Sequence, residues 1–294
     1  MTIFFGESST RIKDLRNRIL DTKSTICLDR ARIITEAYKH NEDKQVILKR
    51  AIALKAILEQ MPIFIDPAEL IVGNQASDHR AAPIFPEYAV DWIINEIDEF
   101  DKRPGDRFYI DEDKKPELLA ICEYWKGKTL KDKALATMTP ESRFLYDVGM
   151  IKAEGNITSG DGHIAVNFAT VLQDGIAGVR ARAQARLDRL DISDFGDFKK
   201  QFFLQSVLIA CDAVISFAHR FADLAEQMAD TELDPNRRAE LQRIAHNCRR
   251  VPENPAANFY EAVQSTWFIQ LILQIGQRSQ DQLGIRIRFI PEKV

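Results

Sequence analysis

Long apolar runs, paired cysteines and an excess of either charge are all missing from this 294-residue chain. No stretch of about 18 uncharged apolar residues is present, so no plain transmembrane helix is offered. The opening, MTIFFGESSTRIKDLRNRIL, meets Gly6 and then charges instead of an apolar h-region. A soluble, cytoplasmic protein is the expectation. Forty basic against 44 acidic residues leave a net charge of -4, which gives no general attraction to phosphate backbones or anionic lipid. With 13 Gly and 11 Pro, a fibrous or largely disordered polymer is excluded, and no internal repeat is visible. Cys27, Cys122, Cys211 and Cys248 lie far apart, with no CxxC pair and no histidine at metal-ligand spacing. They read as reduced, buried residues, and a structural zinc site is not expected. What is present is a 45% apolar, globular composition, in a chain long enough to remove roughly 75% of its unfolded surface from water.

Helical spacing dominates. Leu15, Ile19, Ile33, Ile34 and Ala37, then Val46 to Leu58, predict two helices between residues 11 and 60, ended by Pro62 and Pro67. Four prolines over 61–90 predict an ordered loop with at most one short strand. Helix resumes through Ala89, Trp92, Ile93, Ile97 and Phe100, and again around Pro116 to Trp125. Ile164, Val166 and Phe168 alternate with Ala165 and Asn167 after a glycine-rich segment, which predicts a short strand followed by a helix from about Leu172. The longest stripe, Phe203 to Met228, predicts one continuous helix over 198–229. Asp234-Pro235 supplies an N-cap with proline behind it for the next helix. Asn258 and Glu261 sit at capping-box spacing before a helix that is apolar nearly all round. Such a helix needs covering partners, and the 19 residues after it do not supply them.

The glycine-rich segment Gly155 to His163 is the best local candidate for a site, because closely spaced glycines let backbone approach a ligand. It is no phosphate loop: Asp161 and Gly162 follow Gly160 where Lys and Ser or Thr are required. It is no dinucleotide turn either, since the predicted strand comes after the loop. His163 stands at the mouth of that strand, where a neutral imidazole could hydrogen-bond a substrate hydroxyl or carboxylate, or simply satisfy loop backbone. Asp161, Gly160 and Glu154 are weaker candidates, and no GxSxG elbow occurs. His79 beside Arg80 offers an anion-binding possibility. His219 and His246 read as fillers on the sides of helices.

Three segments in order, DPAELIVGNQASDHRAAPIFPEY, IKAEGNITSGDGHIAVNF and NFYEAVQSTWFIQLILQI, resemble the amino-terminal part of the glycyl radical enzymes, near pyruvate formate-lyase and formate acetyltransferase homologues and glycerol dehydratase-type members. The resemblance implies a mostly α chain forming the amino-terminal helical part of a ten-stranded α/β barrel, with a few short strands. It also implies chemistry in which an activating enzyme, using S-adenosylmethionine and an iron–sulfur cluster, installs a glycyl radical that passes to a cysteine. That thiyl then abstracts hydrogen from a small-molecule substrate, for C–C cleavage or elimination. The histidine of the family's GHIAVNF-type strand lines the substrate pocket, and this role falls on His163. No segment resembles the family's GCVE-type cysteine loop or RVAGYS-type glycine loop, so no catalytic residue or cofactor is assigned within the chain, which is expected to be inactive alone.

The resemblance breaks after Gln274-Ile275. Residues 1–275 are therefore read as an incomplete pyruvate formate-lyase-like domain, and 276–294 as an unrelated tail from frameshift or truncation. A complementing second chain or a homodimer remains open. The alternatives are a non-enzymatic helical interaction module, acting through an exposed apolar helix and the basic strand 285–289, and an independent enzyme using His163 with Asp161 or Glu154.

Overall fold

The computed structural model describes residues 9–105, 107–152 and 164–276. Among them are eleven α-helices and two short strands. Helices α1 (Thr10–Asp21), α2 (Asp29–His40) and α3 (Val46–Gln60) open the chain, with β1 (Thr25–Cys27) between the first two. This corrects the expectation of two helices in that stretch. β-branched Thr25 and Ile26 leave the helical pattern to pair in parallel with β2 (Ala81–Pro83), in the register Thr25↔Ala81, Ile26↔Ala82 and Cys27↔Pro83. Tyr109 bridges Thr25 in parallel from the other side. Hydrogen bonds from Ile26 N to Tyr109 O and from Tyr109 N to Ser24 O, both 2.9 Å, fix it there.

Helices α4 (Asp91–Glu96), α5 (Lys115–Trp125), α6 (Leu130–Ala136) and α7 (Pro140–Asp147) follow. The last two have amphipathic patterns too short to stand out in sequence, but caps define both: Thr129 accepts from Asp132 N, and Thr139 accepts from Ser142 N. No strand forms over 164–167 among the described residues, which corrects the alternating-pattern reading. Instead the Asn167 side chain accepts from Thr170 N at 3.2 Å and starts α8 (Phe168–Leu187) earlier than expected. α8 bends at Gly175, whose φ of 67° lies in the left-handed region. There Ile176 N and Ala177 N leave the helix ladder and donate to Pro252 O (2.8 Å) and Glu253 O (2.9 Å).

The centre is α9 (Phe195–Thr231), which packs against α3, α8 and α10 (Pro235–Arg250). It is long and apolar enough to cross a membrane by composition, and its buried face, with Cys211, Val214, Phe217, Phe221 and Ala225, is covered by these neighbours. Phe217, Phe221 and Phe268 form a buried triangle with ring centroids 5.2, 5.6 and 5.9 Å apart, each ring contributing about 1.5–3 kcal/mol through burial. α11 (Phe259–Gly276) begins with an N-cap at the expected place, though without the reciprocal backbone bond of a full capping box: Asn258 Oδ1 accepts from Glu261 N at 3.0 Å, and Glu261 accepts from Asn258 Nδ2 at 2.9 Å and from Ala257 N at 2.8 Å.

The expectation that α11 lacks cover is also corrected. Phe268, Leu271, Ile272 and Ile275 are buried, because the proline-rich loop folds back over the helix. Gln264 receives Val72 N at 2.9 Å and donates to Val72 O at 2.8 Å. Gly73, at φ 143°, lets that loop approach, since a Cβ there would meet Leu271 at 2.7 Å. Exposed apolar side chains include Phe259 at the start of α11, Phe144, Val148 and Met150 at the end of α7, and Phe195, Phe198 and Phe203 in the first turns of α9.

Candidate functional site

The two strands and the 107–109 segment form the floor of an open cavity of about 1530 Å³. Phe85, Tyr88, Trp92, Tyr146 and Gln274 also line it. Five cationic side chains line it, Lys23, Arg80, Arg103, Arg107 and Lys131, against the acids Asp91 and Glu96. Lys131 pairs with Asp91 and Arg103 with Glu96, each at 2.5 Å.

Arg80 holds its place through a left-handed backbone, φ 50°, uncommon for a side chain of this size. Its carbonyl accepts Thr25 N at 3.2 Å, and its Nη1 donates to Thr22 O at 2.9 Å, capping α1. Tyr88 is buried, with its hydroxyl beside the Arg50 guanidinium. Burial pushes its phenol up, and Glu87 reinforces this against the opposing charges of Arg50 and Arg30.

Behind the floor lies a buried ionic clamp. Arg30, fully buried, stacks on Phe85 with its guanidinium 3.7 Å from the ring centroid. It grips Glu87 at 2.5 and 3.1 Å and donates through Nε to Ile275 O at 2.7 Å. The end of α11 is thereby fixed to α2 and to the loop after β2.

The sequence-based candidates fare unequally. Gly160, Asp161 and His163, with Glu154, lie outside the described residues, as does the basic segment 285–289. His79 is not aimed at a ligand: its Nε2 lies 3.1 Å from Asp66 Oδ1, and its ring meets Phe64 edge-on. Arg80 does line the cavity. His219 pairs with Glu253 at 3.0 Å, and His246 is exposed. All four cysteines are free and buried, with burial pushing the Cys122 thiol up to about 12 and Cys211 to about 11. Among the described residues no group of three or more His, Cys, Asp or Glu could hold a metal ion. Reading along the sequence missed Lys23, Arg107, Lys131, Tyr88 and Gln274, because no local motif joins residues so far apart; the parallel register gathers Lys23 and Arg107, and helix packing brings the others to the same cavity.

This arrangement superposes on known enzymes. The glycerol-bound form of the B12-independent glycerol dehydratase of Clostridium butyricum matches 95% of this chain and 35% of its own, with a TM-score of 0.90 and 38% identity. A structure described for 1,2-propanediol dehydration in Roseburia inulinivorans matches with a TM-score of 0.88 and 39% identity over 93% of this chain and 33% of its own. The family model described as pyruvate formate lyase-like matches residues 7–287.

The chain belongs to the pyruvate formate lyase-like family.

Within this family the probable dehydratase YbiW of Escherichia coli (strain K12) is 43% identical over 275 residues, 93% of this chain and 34% of its own length. The (2S)-3-sulfopropanediol dehydratase of Klebsiella oxytoca is 35% identical over 273 residues, 90% of this chain and 33% of its own. The chain thus spans about a third of the length of these relatives. It corresponds to the mostly helical amino-terminal region of glycyl radical enzyme structures.

Proposed function

We propose that this chain forms the amino-terminal third of a glycyl radical dehydratase or lyase acting on a small hydroxylated substrate, and that it is inactive alone. The match to the glycerol-bound dehydratase, at TM-score 0.90 with 38% identity, carries this reading. The relatives compared above are named as dehydratases, which favours elimination over the acyl transfer also raised by the sequence resemblance. In the whole protein an activating enzyme would install the radical, which supplies the hydrogen abstraction that starts elimination. This chain's part is to wrap the barrel, contribute β1 and β2, and bring His163 to the pocket wall, where its imidazole would hydrogen-bond and orient a substrate hydroxyl.

The test is a chimera in which residues 1–275 replace the corresponding third of the Clostridium butyricum enzyme, activated without oxygen and supplied with glycerol or 1,2-propanediol. Aldehyde is expected from the chimera, at least a hundredfold less from its His163→Ala form, and none from the 294-residue chain. Aldehyde formed by the isolated chain, or equal rates with and without His163, would overturn the reading.

A further inference from the structure

We propose that the cavity above β1 and β2 is a binding site for a small oxyanion, held by Lys23, Arg80 and Arg107. The parallel register places these cations together. Thr25 is level with Ala81 on one side and with Tyr109 on the other. Lys23 stands two residues before Thr25, Arg107 two before Tyr109 and Arg80 one before Ala81, so all three sit at the same end of three parallel segments and line one cavity.

Their charges are not cancelled locally. The two acids lining the cavity, Asp91 and Glu96, are taken by Lys131 and Arg103. Lys23 rests over the Tyr109 ring, 3.3 Å from its centroid. Arg80 donates only to the carbonyls of Thr22 and Ile19, and Arg107 donates through Nε to Arg103 O at 2.7 Å. No carboxylate among the described residues pairs with any of the three. Asp111, which feels the Lys23 charge, is itself bonded to Lys114 at 2.7 Å.

One further observation points to a ligand. Arg80 keeps a left-handed backbone at the cavity floor, the sort of local strain that collects at ligand clamps.

The contrast with the second cavity, of about 540 Å³, is direct. There Arg180 pairs with Asp212 at 2.6 Å, His219 with Glu253 at 3.0 Å, and Asp223 with Arg249, which leaves Arg220, bonded to the carbonyls of Leu58 and Met61, as the one cation in that lining without an acid partner. In the first cavity, three unneutralised donors beside the aromatic faces of Trp92 and Tyr109 suit one carboxylate or one tetrahedral oxyanion on a small frame.

The test is separate from that of the dehydratase reading, because binding is measured on the chain without turnover. Inorganic sulfate and acetate are titrated separately into the 294-residue chain by calorimetry, with chloride holding ionic strength constant. Saturable binding of at least one, with Kd of about 1 mM or tighter, is expected, and which one binds tells a tetrahedral from a planar site. The Lys23→Gln/Arg107→Gln double variant should weaken it about tenfold or more, while Lys23→Arg/Arg107→Lys keeps it. Lys199→Gln, altering a cation over Phe195 that does not line the cavity, should leave it unchanged. Unchanged thermal melting of each variant shows that the fold is intact. The proposal is overturned if neither anion saturates by about 20 mM, if the double variant binds like the parent, or if Lys199→Gln weakens binding as much.

Discussion

Replacing Arg30 by methionine would leave a carboxylate buried without its counter-charge. The side chains of Arg30 and Glu87 are 1% and 7% exposed, so water cannot take over. Arg30 donates to both Glu87 oxygens, to Ile84 O at 3.2 Å and to Ile275 O at 2.7 Å. Methionine fills much of the aliphatic stem's volume, so little cavity opens and the loss is mainly electrostatic. Removing one partner of a buried pair costs about 3–5 kcal/mol, and a carbonyl left wholly unsatisfied costs about 1–3 kcal/mol. The Arg30→Met variant should therefore unfold in urea with its midpoint lowered by about 3 kcal/mol or more and an unchanged slope. The Arg30→Met/Glu87→Leu variant, with no stranded charge, should be more stable than the sum of the two single changes by about 1–3 kcal/mol. A loss below about 1 kcal/mol for Arg30→Met, or strict additivity in the double variant, would refute the idea that this pair clamps α11 to α2 and the loop after β2.

Gly175→Ala should destabilise by about 2 kcal/mol or more, because its Cβ would fall 2.2 Å from Glu253 O and its φ is 67°; a thermal melt like the parent's would contradict this. Gln264→Ala strips both partners from Val72 N and Val72 O, so about 1–3 kcal/mol should be lost, with faster amide exchange around Val72 as the local readout. Burial pushes the Glu69 carboxyl up to about 7, against an opposing hydrogen bond from Asp66 N. Its folded pKa therefore lies above the unfolded one, the folded state holds the extra proton, and stability falls as pH rises from about 4.5 to 7. Urea unfolding at pH 5 and pH 8 should show that loss, and Glu69→Gln should diminish it; an undiminished loss in the variant would assign the dependence to other groups.

Helices with long apolar stripes were legible along the chain. The stripe at Phe203 to Met228 placed α9 within a few residues, and the Asp234-Pro235 and Asn258/Glu261 signals marked real caps. Three residues of β1 were not legible, because a strand that short gains its stability from partners at 81–83 and 109 rather than from its own pattern. The 164–168 alternation misled for a related reason: Asn167 finds a nearer acceptor role as a helix cap. The cover over α11 was invisible because it depends on one glutamine, Gln264, reaching a loop 192 residues earlier. Lys23, Arg80 and Arg107 share that property, each ordinary in its local context and brought together only by the parallel register.

The most direct measurement is electron paramagnetic resonance of the chimera after anaerobic treatment with the dehydratase's activating enzyme and S-adenosylmethionine. If residues 1–275 wrap and complete that barrel, a glycyl radical signal of the same order as the parent dehydratase's should appear. A soluble, folded chimera with no such signal would contradict the assignment of this chain to the amino-terminal third of a glycyl radical enzyme.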